Sequence, residues 1–87
     1  SELGRLGESF VSMGVSYWNV GQREKAVALT QHGMTLMEDS VKRGTLPEAA
    51  LSVPYSNLAS MHRQLGDPKK ADRLEEMASK VKSTNLR

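Results

Sequence analysis

One pattern occurs twice in this chain. Tyr17, Gly21 and Ala26 are spaced as Y-x3-G-x4-A, and 45 residues later His62, Gly66 and Ala71 keep the same spacing. Upstream, Phe10-x2-Met13-Gly14-x2-Tyr17 aligns with Tyr55-x2-Leu58-Ala59-x2-His62. A fixed period over two helix-sized units is the mark of a repeat architecture, in which each unit covers the apolar face of its neighbour. Such stacks offer a broad surface, which points to binding and away from a catalytic pocket.

Composition narrows the choice. A chain of 87 residues forms one domain at most, and one of that size buries only about 60–65% of its unfolded surface. It has no cysteine, so neither a disulfide nor a thiolate zinc site contributes; this fits a reducing compartment, and the cytoplasm is the expected location. Apolar runs are too short to span a bilayer, and no secretory signal is visible. The first residue is Ser rather than Met, which suggests a trimmed chain or a piece of a longer protein. The net charge of +2 is spread among interleaved acids and bases, a solvated-face pattern that argues against nucleic acid.

Four helices read out. The first is expected from Glu2 to Val20, with Leu3, Leu6, Phe10, Met13, Tyr17 and Val20 as its core stripe and Gly21 as its cap; Gly4 and Gly7 are expected to weaken its first turns. The second runs from Arg23 to Lys42, its stripe being Ala26, Leu29, Thr30, Gly33, Met37 and Val41. Gly33 implies close approach of another backbone. Thr45-Leu46-Pro47-Glu48 reads as a capping box that opens a third helix reaching Leu65; Pro54 inside it implies either a kink, the favoured reading, or a short helix ending near Ser52 with a new one beginning there. Its stripe is Leu51, Tyr55, Leu58, His62 and Leu65. Gly66-Asp67-Pro68 is a break, and a fourth helix extends to Lys82 with Ala71, Leu74, Ala78 and Val81 inward. Residues 2–43 make the first repeat, 46–82 the second, and 83–87 a loose tail. The fold class is all-α: two antiparallel helix-turn-helix hairpins, stacked as a short right-handed α-α superhelix.

These residues resemble the tetratricopeptide repeat (TPR) family, whose helix–turn–helix unit of 34 residues carries W-x2-L-G-x2-Y, then Ala, and a closing Pro. Phe10, Met13, Gly14, Tyr17, Gly21 and Ala26 supply the first unit, and Tyr55, Leu58, Ala59, His62, Gly66, Ala71 and Ala78 the second. The likeness covers residues 10–82. Gly33 stands where the family usually has Ala, the closing Pro is absent from both units, and the longer period adds about one and a half turns to each of helices two and three. Units lengthened in this way, with the stretch Tyr55–Ala59, are similar to the repeats of kinesin light chains.

The resemblance implies that the first helix of each unit lines a concave face that holds an extended peptide or a partner helix. By position this places Val11, Val15, Trp18 and Asn19 on the groove from one unit, and Asn57, Ser60, Arg63 and Gln64 from the other. Val11, Val15 and Trp18 also form a second apolar stripe, so the first helix is expected to touch something on two sides. Trp18 is the main anchor candidate, since Trp and Arg dominate binding hot spots; packing against the other repeat is the structural alternative. Arg63, Lys69, Lys70 and Arg73 suit an acidic segment, although Asp67, Asp72, Glu75 and Glu76 are interleaved. Asn57 and Arg63 alone are too few for the carboxylate-binding mode of some family members. The five methionines (13, 34, 37, 61 and 77) read as gap-filling core.

The expected function is therefore a non-catalytic protein–protein interaction scaffold binding a protein or peptide ligand. The alternative is a self-assembly module: two repeats leave end faces uncovered, which a second copy in a homodimer, or neighbouring repeats of a longer chain, would cover. No phosphate loop, nucleophile with a paired base or metal-ligand spacing is present, so no enzyme activity, cofactor or metal is expected; His32 and His62 have no ligand partner one turn away. Base-by-base RNA reading needs more repeats and a basic face.

Overall fold

The break points organise the chain. The computed structural model describes the backbone of residues 2–85 and the side chains of residues 2–82. Glycines at 21, 44 and 66 adopt φ of +86°, +76° and +86°. Each closes the preceding helix by the same pair of bonds. The Gly21 and Gln22 N–H groups donate to the carbonyls of Trp18 and Tyr17; Gly44 and Thr45 donate to Val41 and Ser40; Gly66 and Asp67 donate to Arg63 and His62. This Schellman geometry satisfies carbonyls that a helix end leaves orphaned, and it needs a left-handed residue at its centre.

The elements are α1 (Glu2–Asn19), α2 (Arg23–Lys42), a 3-10 turn (Glu48–Leu51), α3 (Ser52–Gln64) and α4 (Pro68–Asn85). Among the described residues there is no strand. The fold is all-α, with two antiparallel hairpins, α1–α2 and α3–α4, that meet mainly through α2, which packs against α3 and the 3-10 turn. One core runs through both hairpins and contains Val11, Met34, Met37, Leu51, Tyr55, Leu58, Met61 and Val81. The Cα envelope measures 34 × 26 × 15 Å. With helices about 10 Å across, that is two helix layers, too thin to enclose a deep pocket.

The face that α1 buries differs from the expected one. Its inward residues are Gly4, Gly7, Val11 and Gly14, whereas Leu6, Met13 and Val20 are 50%, 39% and 70% exposed. The reason is backbone contact. A methyl group built on Gly33 of α2 would stand 2.5 Å from the Gly7 carbonyl oxygen and 2.8 Å from Val11 Cγ2. Gly7 and Gly14 on α1 and Gly33 on α2 thus form a seam where main chains come close, so the large residues beside the seam are turned outward. Gly4 and Gly7 in the first turns of α1 are both buried. Ala26 and Thr30 complete the seam on α2, and the Thr30 hydroxyl donates to the Ala26 carbonyl at 2.8 Å.

Four further expectations are corrected. The Thr45–Glu48 capping box does not form: the Thr45 N–H and hydroxyl both donate back to the Ser40 carbonyl, at 2.9 and 3.1 Å, and so finish α2. The third helix does not kink at Pro54 but is divided. Residues 48–51 make the 3-10 turn, and α3 restarts at Ser52. Pro54 then lies in a first turn, where its missing N–H would have had no helical acceptor. Leu65 is 46% exposed rather than core. The Asp67 cap does form, accepting from the Lys70 N–H at 3.3 Å. Finally, α4 continues past Lys82 to Asn85, so the start of the expected loose tail is helical; residues 86 and 87 lie outside the described residues.

Candidate functional site

A cleft opens between α1 and α3. Val15, Trp18 and Asn19 sit at i, i+3 and i+4 on α1; Asn57, Ser60, Met61 and Gln64 sit at i, i+3, i+4 and i+7 on α3. Each set therefore shares one helix face. Together they line a depression of about 310 Å³. None of these seven side chains is charged. The wall is apolar at Val15, Trp18 and Met61, and amide or hydroxyl at Asn19, Asn57, Ser60 and Gln64.

Trp18 links the cleft to the core. It continues the inward seam of α1, one turn beyond Gly14, and packs half-buried against the core cluster. The Arg23 guanidinium lies 4.7 Å from its ring centroid. A cation over an indole face at such an exposed site is worth about 0.5–1 kcal/mol. The ring is held by the core and by Arg23 while part of it remains on the cleft wall. Met61 forms the floor at 5% exposure. Its sulfur lies 3.7 Å from the Thr30 hydroxyl, so α2 supports the floor from behind.

Six of the eight groove candidates, Val15, Trp18, Asn19, Asn57, Ser60 and Gln64, meet here. Two do not. Val11 is 5% exposed and packs at the α1–α2 seam; it belongs to the core because the glycine seam draws its face of α1 inward. Arg63 lies in an adjoining depression with Ser56, Ser60, Gln64 and Glu75, where it forks to Asp72 Oδ1 at 2.7 Å and Glu75 Oε1 at 3.0 Å. These exposed pairs add little stability, but they pull the guanidinium toward α4. Met61 joined the cleft unannounced: its spacing from Asn57 and Gln64 was the available signal, and its apolar character hid it among core residues.

Tyr55 donates its phenol to Glu38 Oε2 at 2.7 Å; burial, and then that carboxylate, push its pKa well above the ordinary tyrosine value. This bond ties the two hairpins together and lies outside the cleft lining. His32 stands edge-on to Phe10 at 4.7 Å and 82°, and His62 is half-buried on α3. Among the described residues no three His, Asp or Glu side chains gather to hold a metal ion. No helix among them is long and apolar enough to cross a membrane.

No family model matches this chain, and no curated protein or solved structure matches it.

Proposed function

We propose that this chain is a TPR-like, non-catalytic protein-binding module that holds an extended peptide or a partner helix in the α1–α3 cleft. The observation that supports this reading is the make-up of the cleft wall. A half-buried Trp18 supplies an apolar anchor on a rigid helix, and four uncharged polar side chains surround it. Amides and hydroxyls both donate and accept, which suits the unpaired N–H and C=O groups of an extended main chain. An aromatic anchor ringed by polar groups is the usual anatomy of a binding hot spot. The absence of charge from the wall favours an occupant whose contacting residues are neutral.

The test uses a displayed library of random peptides, selected on the immobilised chain. Selected peptides are expected to bind the chain and to lose at least about tenfold in affinity, roughly 1.4 kcal/mol, against Trp18→Ala or Asn57→Ala. Lys70→Ala, on the first turn of α4, is expected to bind normally. Peptides that hold all three variants equally well would place binding elsewhere.

A further inference from the structure

The charges of α4 are interleaved in the sequence but sorted on the helix. At about 100° per residue, Lys69, Lys80 and Arg73 fall within about 40° of one another, and Met77 and Lys70 complete a face about 100° wide. Glu76, Asp72 and Glu75 all lie on the other side of Lys69, at about 20°, 60° and 120° from it. Lys82 lies beyond Glu75 on that acidic side. All of these side chains are exposed.

The acids already have partners. Arg63 of α3 reaches Asp72 at 2.7 Å and Glu75 at 3.0 Å, and Glu76 pairs with Lys80 at 3.3 Å. Lys69, Lys70 and Arg73 have no ion-pair partner among the described residues. The basic face is the flank of α4 turned away from Arg63, and Met77, 38% exposed, lies on it one turn beyond Arg73. We infer that this face docks an acidic segment of a partner protein. From Lys69 to Lys80 it is about 16 Å long, or three helical turns. Carboxylates one turn apart on the segment match Lys69 and Arg73, which are themselves one turn apart. The planar Arg73 guanidinium can hold a carboxylate through two N–H donors, while Lys69 and Lys70 act as point charges. An apolar side chain between the carboxylates covers Met77. A membrane fits less well, because Met77 is the one large apolar side chain of this face and a surface-bound helix buries a whole apolar side. Nucleic acid fits less well too, because the three acids border the face and repel phosphates.

The test selects a displayed peptide library rich in Asp, Glu and Leu on the whole chain. Recovered acidic peptides are expected to lose at least about tenfold in affinity against Arg73→Glu, and to weaken as salt is raised. Two controls are expected to cost less than about threefold: Lys82→Glu, the same change of charge on the acidic side of α4, and Trp18→Ala, in the cleft. Arg73 and Lys82 are exposed, so helicity is expected to be unchanged in both variants. Phosphatidylserine vesicles and a single-stranded DNA oligonucleotide are run beside the peptides. Recovery of no acidic peptide, an equal loss with Lys82→Glu, or a comparable loss with Trp18→Ala overturns the inference. Vesicles or DNA that bind more tightly than any peptide, and are lost with Arg73→Glu, overturn it as well and give the face to a membrane or to nucleic acid.

Discussion

Gly7 and Gly33 touch main chain to main chain. A Cβ on Gly33 would stand 2.5 Å from the Gly7 carbonyl oxygen, and a Cβ on Gly7 would stand 2.8 Å from the Gly33 carbonyl oxygen. Backbone cannot swing aside as a side-chain tip can. Gly33→Ala would gain about 1 kcal/mol of helix propensity, but it forces α1 off α2. Net destabilisation of about 2 kcal/mol is expected, as for other overpacked interiors. Urea unfolding of Gly7→Ala, Gly33→Ala and the double variant checks it. The double variant should lose less than the sum, because one displacement of α1 makes room for both methyl groups.

Ser40 gives a prediction of opposite sign. Its hydroxyl is fully buried and has no hydrogen-bond partner, while its carbonyl accepts both bonds from Thr45. Ser40→Ala removes the unsatisfied group and keeps the carbonyl. Stability is expected to rise by about 1 kcal/mol, read as a higher urea midpoint with an unchanged slope.

Tyr55 makes stability pH-dependent on the alkaline side. Its pKa is raised in the folded state, so the neutral phenol is the form the fold prefers. The associated stability is complete below the unfolded tyrosine pKa of about 10 and is lost as pH rises from there toward the folded value. Tyr55→Phe deletes the bond to Glu38 and is expected to cost about 1.5 kcal/mol at neutral pH. It should also flatten the decline in stability above pH 10. An alkaline limb unchanged in Tyr55→Phe would show that another group governs it.

How much of this was legible in the sequence depends on what each residue contributes. The ends of α2 and the start of α4 were readable because Gly44, Gly66, Asp67 and Pro68 act locally through backbone conformation and capping. The inward face of α1 was not. Counting apolar side chains selects Leu6, Met13 and Val20, but Gly4, Gly7 and Gly14 bury main chain, which no hydrophobic stripe records. Val11 was misplaced for the same reason, being read by its offset from the wrong stripe. Thr45 was ambiguous in principle: one hydroxyl can start the next helix or finish the last, and Gly44 commits it to the last. Pro54 could bend a helix or sit in the first turn of a new one, and the separate 3-10 turn decides for the second. The Val15, Trp18, Asn19 and Asn57, Ser60, Gln64 sets come from the family resemblance, which puts the first helix of each unit on the groove; helical spacing alone supplies only the apolar stripe through Val11, Val15 and Trp18. Their meeting across the cleft is a tertiary fact.

The most direct test of the binding account is an amide-resolved NMR titration of the whole chain with a library-selected peptide. The account predicts that the largest shift changes cluster at Val15, Trp18, Asn19, Asn57, Ser60 and Gln64, together with the Trp18 indole N–H. Changes confined to α4, or to the outer face of α1, with the Trp18 indole unmoved, would contradict it.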